Sequence, residues 1–200
     1  MGCSVSPAPG NYLQLMFATG IAVSADGSKV YVSGWTYADF DKVDNPPVAP
    51  NCCLQGDAFI AKFNGTGALE QAHDIASQVL SGPRYFDEQA YAISTDAAGS
   101  AAFVTGYTNG VMPGEKSKGA EDIFVARYEA NGARSWIKQL GSSPPVFGEL
   151  NERAFGIALD PRGEVFVAGV THGTFGTPLK DTDRDDWFGL KMKAVDGSLY

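Results

Sequence analysis

A fixed internal period governs what this chain can fold into. The run Asp57-Ala58-Phe59-Ile60-Ala61-Lys62-Phe63 returns as Asp122-Ile123-Phe124-Val125-Ala126-Arg127-Tyr128 and as Asp186-Trp187-Phe188-Gly189-Leu190-Lys191-Met192, so the leading aspartates stand 65 and 64 residues apart. Each run is followed by a glycine, at Gly67, Gly132 and Gly197. A second motif keeps the same step: Val30-Tyr31-Val32-Ser33-Gly34-Trp35-Thr36, Ala102-Phe103-Val104-Thr105-Gly106-Tyr107-Thr108 and Val165-Phe166-Val167-Ala168-Gly169-Val170-Thr171. Spacing this regular marks tandem copies of one supersecondary unit, none of which buries its apolar surface alone.

The unit itself is built from short β-branched and aromatic runs separated by glycine turns, which reads as four antiparallel strands, a to d, in a meander. The alternation in strand c puts Phe59, Ala61 and Phe63 on one face and Ala58, Ile60 and Lys62 on the other. Both faces are then partly apolar, so each sheet needs a neighbour on either side. Four-stranded sheets stacked in this way around an axis form a β-propeller. The fold class expected is therefore all-β, with about three four-stranded blades and no helix longer than two turns. The blades fall at residues 20–88, 89–152 and 153–200, the last one truncated. Residues 1–19 make an N-terminal segment in which Tyr12 to Phe17 read as a leading d strand.

The pattern Ile-Ala, Gly, Val-Tyr-Val-x-Gly-x-Thr, Asp-x-Phe-x-x-Lys, Gly resembles the SBBP family of β-propeller-like repeats over nearly all of Gly20 to Tyr200. That resemblance implies a surface or secreted repeat protein, extracytoplasmic, without an assigned common chemistry. It makes a binding or interaction scaffold the expected function.

Composition narrows the partners. A formal charge of −8 lacks the clustered Lys and Arg that track a phosphate backbone, which argues against nucleic acid. No apolar stretch approaches the ~20 residues of a membrane span, and residues 1–10 contain no apolar signal region. Met1-Gly2-Cys3-Ser4-Val5-Ser6 fits a short acylation pattern that Pro7 spoils. Cys3, Cys52 and Cys53 form neither metal spacing nor a disulfide framework.

Loop length separates the two ends of the meander: a–b and c–d turns are short, whereas b–c and d–a connections run to a dozen residues or more. Those long loops hold eight of the 11 prolines and a formal −6 of the chain's −8. Binding residues concentrate on such loops, and Trp35, Tyr37, Tyr107 and His172 at the b-strand ends make the candidate surface for a cation, a sugar or a basic protein partner. A merely solvated acidic face is the competing reading.

Asp181, Asp183 and Asp185 alternate as Ca²⁺ ligands do, so Ca²⁺ is the one cofactor the chain suggests. Asp186 and Met192 replace the glycine and glutamate of an EF-hand, and Arg184 competes with the cation, which leaves a solvated acidic turn as the default. Asp57, Asp122 and Asp186, with Thr36, Thr108 and Thr171, recur in every unit and so read as hydrogen-bonding caps. The alternative function is a carbohydrate-active propeller enzyme, in which Glu88 and Glu152 would pair at a channel mouth. His73 and His172 lie in different units and outside any catalytic motif. Asn64-Gly65-Thr66 is a glycosylation sequon on a hairpin tip. Three blades fall short of a closed ring, so the expectation is that the chain is a piece of a longer propeller; taken alone, its uncovered outer faces, expected to expose Ile60 or Phe188, would drive aggregation or a homodimer closing a six-blade ring.

Overall fold

The computed structural model describes residues 16–37, 56–77, 87–142, 151–173 and 186–200. These form eleven strands and, among the described residues, no helix. β1 (Met16–Val23), β2 (Lys29–Thr36), β3 (Asp57–Asn64) and β4 (Leu69–Ile75) make one antiparallel sheet in sequence order. β5 (Glu88–Thr95), β6 (Ala101–Thr108), β7 (Asp122–Glu129) and β8 (Arg134–Leu140) make the second. β9 (Glu152–Leu159), β10 (Glu164–Thr171) and β11 (Asp186–Lys193) make a three-stranded third, with an isolated bridge from Met192 to Leu199. The all-β class and the antiparallel meander read from the repeat are those of the molecule.

The register repeats with the sequence. Thr36 pairs with Asp57, Thr108 with Asp122 and Thr171 with Asp186, so each unit places its recurrent polar pair at the long-loop end. At the opposite end the tight turns close on glycines at φ of about +60° to +90°, a conformation that side chains resist; Gly27, Gly99 and Gly163 serve one set of turns, and Gly67, Gly132 and Gly197 the other. Asn64, the sequon residue, is engaged in one such turn, where its Oδ1 accepts from the backbone N–H of Thr66 and of Ala68.

The three sheets stack face to face. Tyr31, Ala58, Ile60 and Ile75 of the first pack with Ala90, Ile93, Val104 and Phe124 of the second. Ala101, Phe103, Ile123 and Val125, from the other face of the second sheet, pack with Ala154, Val165, Val167, Phe188 and Met192 of the third. The second sheet is thus apolar on both sides because it is covered on both sides, as the double apolar alternation requires. Approach between sheets is closest at their first strands, β1 on β5 and β5 on β9.

Two sequence expectations change. Met16 and Phe17 open β1, paired with Thr36 and Trp35, rather than ending a separate leading strand; residues 12–15 lie outside the described residues. Ile60 and Phe188 do not face outward: both are buried against the second sheet. Among the side chains left bare on the outer sheets are Ile21, Val23, Phe166 and Trp187.

Each first strand carries an irregularity at the same place, next to Ala18, Ala90 or Ala154, that swings its backbone over the glycine of the second strand. A Cβ on Gly34, Gly106 or Gly169 would lie 1.9, 1.8 or 2.0 Å from the carbonyl oxygen of Phe17, Gln89 or Arg153. Backbone cannot rotate away, so overpacking at this position is not relieved by a rotamer change. Gly106→Ala is therefore expected to destabilise by about 3 kcal/mol, measured by urea denaturation; Gly156→Ala in the third sheet, where nothing lies within 4 Å, is the matched control.

Candidate functional site

The chemistry-bearing side chains collect at the long-loop end, where the strand pairing puts Thr, Asp and Glu side by side. Glu88 begins β5 and is 1% exposed. Its Oε1 accepts from Thr108 Oγ1 at 2.6 Å, and Thr108 Oγ1 accepts in turn from the Gly110 N–H at 2.9 Å. Ser77, which follows the last strand of the first sheet, also hydrogen-bonds to Glu88. The carboxyl of the second sheet is thereby held by a hydroxyl from the first.

The next junction repeats this arrangement. Glu152, fully buried, accepts from Ser142 Oγ at 2.6 Å and from Thr171 Oγ1 at 3.1 Å, and Thr171 Oγ1 accepts from the Gly173 N–H at 2.9 Å. Gly110 and Gly173 are required by proximity, because a Cβ there would meet Ser77 Oγ at 2.2 Å and Ser142 Oγ at 1.7 Å. In the first unit, Met16 stands where the Glu pairs with the Thr, and Ala38 stands two residues after Thr36. The unit whose first-strand side carries no preceding sheet among the described residues also lacks both receiving residues.

Burial has a chemical consequence. Desolvation dominates at Glu88 and pushes its carboxyl up to about 8, with the charge of Asp57 adding to the rise and the Thr108 and Ser77 hydroxyls opposing it. Glu152 is raised for the same first reason, and there the added charge is that of Asp122. Asp122 Oδ2 accepts from Gln139 Nε2 at 2.7 Å and from the Lys118 N–H at 2.8 Å, while Asp122 Oδ1 and Glu152 Oε2 make no hydrogen bond. A carboxyl that keeps its proton avoids the cost of a buried charge.

The sequence reading brings Glu88 and Glu152 together at a channel mouth, and the structure buries both. Each is closed inside its own sheet junction, and the acidic side chain acting on it is an aspartate of the preceding sheet. Three of the six recurrent residues act as the hydrogen-bonding caps expected: Thr108, Thr171 and Asp122 hold loop ends or neighbouring strands, while Thr36 and Asp57 are buried at the equivalent place. Ser77 and Ser142 were missed, although each stands 20 residues after its unit's Asp. Gln139 was missed too: its side chain clamps the 109–121 loop, accepting from the Met112 N–H at 2.8 Å and donating to the Gly110 carbonyl at 3.0 Å.

Of the aromatic candidates, Trp35 and Tyr37 come together, their rings 5.5 Å apart and edge to face, and Phe17 stacks on Trp35 at 4.2 Å. Phe17 joins them because it lies in β1, opposite Trp35. Tyr107 belongs to a second group, with Tyr91 at 5.8 Å and the Arg153 guanidinium 4.8 Å above its ring. Glu121 accepts from Arg153 Nη2 at 2.7 Å and keeps that cation in place. Tyr107 is 7% exposed, so it serves the junction more than the surface. His172 sits in the third unit, its backbone N–H donating to the Asn151 carbonyl at 3.1 Å. Cys3, Cys52, Cys53, Asp181, Asp183 and Asp185 lie outside the described residues, and among those described no group of three or more His, Cys, Asp or Glu is placed to hold a metal.

No helix of the described residues is long and apolar enough to cross a membrane. No model of a known protein family matches the chain, and no curated protein matches it by sequence.

Proposed function

We propose that the three sheets are neighbouring blades of a β-propeller-type repeat and that the long-loop end is a non-catalytic binding surface for a protein or carbohydrate. The observation that carries this reading is the duplicated junction network. Glu88 with Thr108 and Ser77, and Glu152 with Thr171 and Ser142, are copies of one arrangement. A reacting group is needed once, whereas an architectural one is needed at every junction. The closest sheet approach at the first strands supports the fanned arrangement of blades about an axis. The likeness of the unit to the SBBP repeat, and with it an extracytoplasmic location, belongs to the same proposal.

With the buried carboxyls assigned to architecture, the Phe17, Trp35 and Tyr37 cluster is the part of this end suited to a ligand. Phe17 is 44% exposed and lies flat on Trp35, and flat aromatic faces hold sugar rings or apolar side chains at modest entropic cost. Screening the chain against immobilised polysaccharides and basic proteins is expected to give retention without turnover. Trp35→Ala is expected to weaken that retention roughly tenfold or more, and Glu88→Gln to leave it intact. Turnover of a glycoside abolished by Glu88→Gln or Glu152→Gln would replace this reading with the enzymatic one.

A further inference from the structure

The repeat allows each exposed apolar side chain on the outer sheets to be compared with its own equivalents inside the stack. Tyr31 and Phe103 are each 1% exposed, covered by the following sheet, whereas Phe166 at the same position of the third unit is 43% exposed. Ala58 and Ile123 are fully buried, and their equivalent Trp187 is 84% exposed. Around them Ala158, Ala168 and Gly189 are small, and the face opens into an apolar groove bounded by Phe166 and Lys191. This is the surface that, in the other two units, receives a following sheet.

The opposite face shows the mirror of this pattern. Ile93 is 8% exposed, packed against the preceding sheet, whereas its equivalent Ile21 is 67% exposed; Ala90 and Ala154 are fully buried, whereas Ala18 is exposed. Phe59 and Ala61 on this side are already buried, so the bare part is the first strand, the place where stacked sheets come closest. The third sheet thus leaves bare the face that elsewhere receives a following sheet, and the first sheet leaves bare the strand that elsewhere meets a preceding one.

We infer that the outer face of the third sheet docks head to tail on the exposed first strand, β1, of a second copy of this chain, the strand at which the stacked sheets within the chain come closest. Polar groups are placed for it. In both internal junctions the cation of the third strand reaches a turn carbonyl on the next sheet, Lys62 Nζ to Ala130 O at 2.8 Å and Arg127 Nη1 to Ala194 O at 2.9 Å. Lys191 is the equivalent cation on the free face, and the carbonyl of Gly65 occupies the matching turn position of a first sheet. Met16 replaces the junction Glu on that sheet, so docking brings no carboxyl from that position out of water. The inference rests on the observed stacking and holds whether or not the long-loop end binds a ligand.

A head-to-tail interface uses two different surfaces, which gives a decisive mixing experiment. Sedimentation velocity at micromolar concentration is expected to show the 200-residue chain above monomer mass. Trp187→Glu and Ile21→Glu each spoil one face, and both side chains are too exposed to matter to the fold. Each variant alone is expected to run as a monomer, its association weakened roughly tenfold or more, and an equimolar mixture to regain a one-to-one complex through the two intact faces. Phe166→Glu and Val23→Glu form a second pair with the same expected outcome, and circular dichroism confirms that the strands persist. A monomeric parent chain, self-association retained by both single variants of a pair, or a mixture that stays monomeric would overturn the inference. Self-association of Ile21→Glu alone would show a symmetric third-sheet contact and overturn it equally.

Discussion

Replacing Phe103 by alanine is expected to cost about 3–5 kcal/mol, whereas the same change at Phe166 costs about 1 kcal/mol or less. The two positions are equivalent in the repeat and pair with the same kind of partner, Arg127 and Lys191 respectively. Only their surroundings differ. Phe103 is 1% exposed between the second and third sheets, with the Arg127 guanidinium 5.7 Å from its ring centre and Trp136 at 6.1 Å. Truncation there leaves a cavity that the flanking strands cannot close without breaking two ladders, so the cavity term adds to the lost transfer energy. Phe166 has solvent on one side, and its loss removes little that the unfolded chain does not also lack. Denaturant titration of both variants at low protein concentration measures the difference. Equal losses would mean that stacking of sheets contributes nothing beyond the burial inside each one.

Stability is expected to fall as pH rises from about 5 toward 8, by on the order of 4 kcal/mol. The group responsible is Glu88, whose carboxyl is pushed from 4.5 up to about 8 by burial in the folded chain. Below 4.5 both folded and unfolded chains hold this proton. Between 4.5 and about 8 the unfolded chain releases it and the folded chain keeps it, so ionisation draws the equilibrium toward unfolding. Above 8 the folded chain ionises too, and the slope ends. Glu152, raised for the same cause, adds to the trend in the same direction. Glu88→Gln keeps a neutral side chain of nearly the same shape and is expected to flatten the Glu88 contribution, leaving the variant more stable than the parent at pH 8. Denaturation curves at pH 5, 7 and 9 test this, and a parent chain whose stability is level or rises across that range would contradict a proton held at Glu88.

The sequence made the frame readable and left the seams obscure, for physical reasons. Strand c showed its role because Phe59, Ile60 and Ala61 place apolar groups on both faces, and only a covered sheet tolerates that. The polar caps were readable at Thr108 and Asp122 because they recur. Glu88 and Glu152 looked like surface acids because a carboxylate is normally exposed; what buries them is a serine ten or eleven residues earlier, on another sheet, a relation that no local pattern displays. Phe17 was misplaced for a related reason. The first unit has Met16 in place of the Glu that marks where β5 and β9 begin, so the start of its first strand carried no label. Ile60 and Phe188 were assigned to bare faces because alternation separates two faces without saying which of them a neighbour covers.

The junction network also bears on how a gene for such a chain can change length. The hydroxyl and the aspartate of each lock lie on one unit, and the glutamate and threonine lie on the next. Residues 88–151 therefore begin with one receiving half and contain one donating half. Tandem duplication of that stretch would insert a unit whose Glu88 meets the original Ser142 and whose own Ser142 meets Glu152, with every buried carboxyl still paired to a hydroxyl. A duplication whose length is not a whole repeat would instead separate a glutamate from its threonine or serine and leave a buried carboxyl without its partner. The lock thus permits copy number to drift in whole units while penalising insertions of any other length.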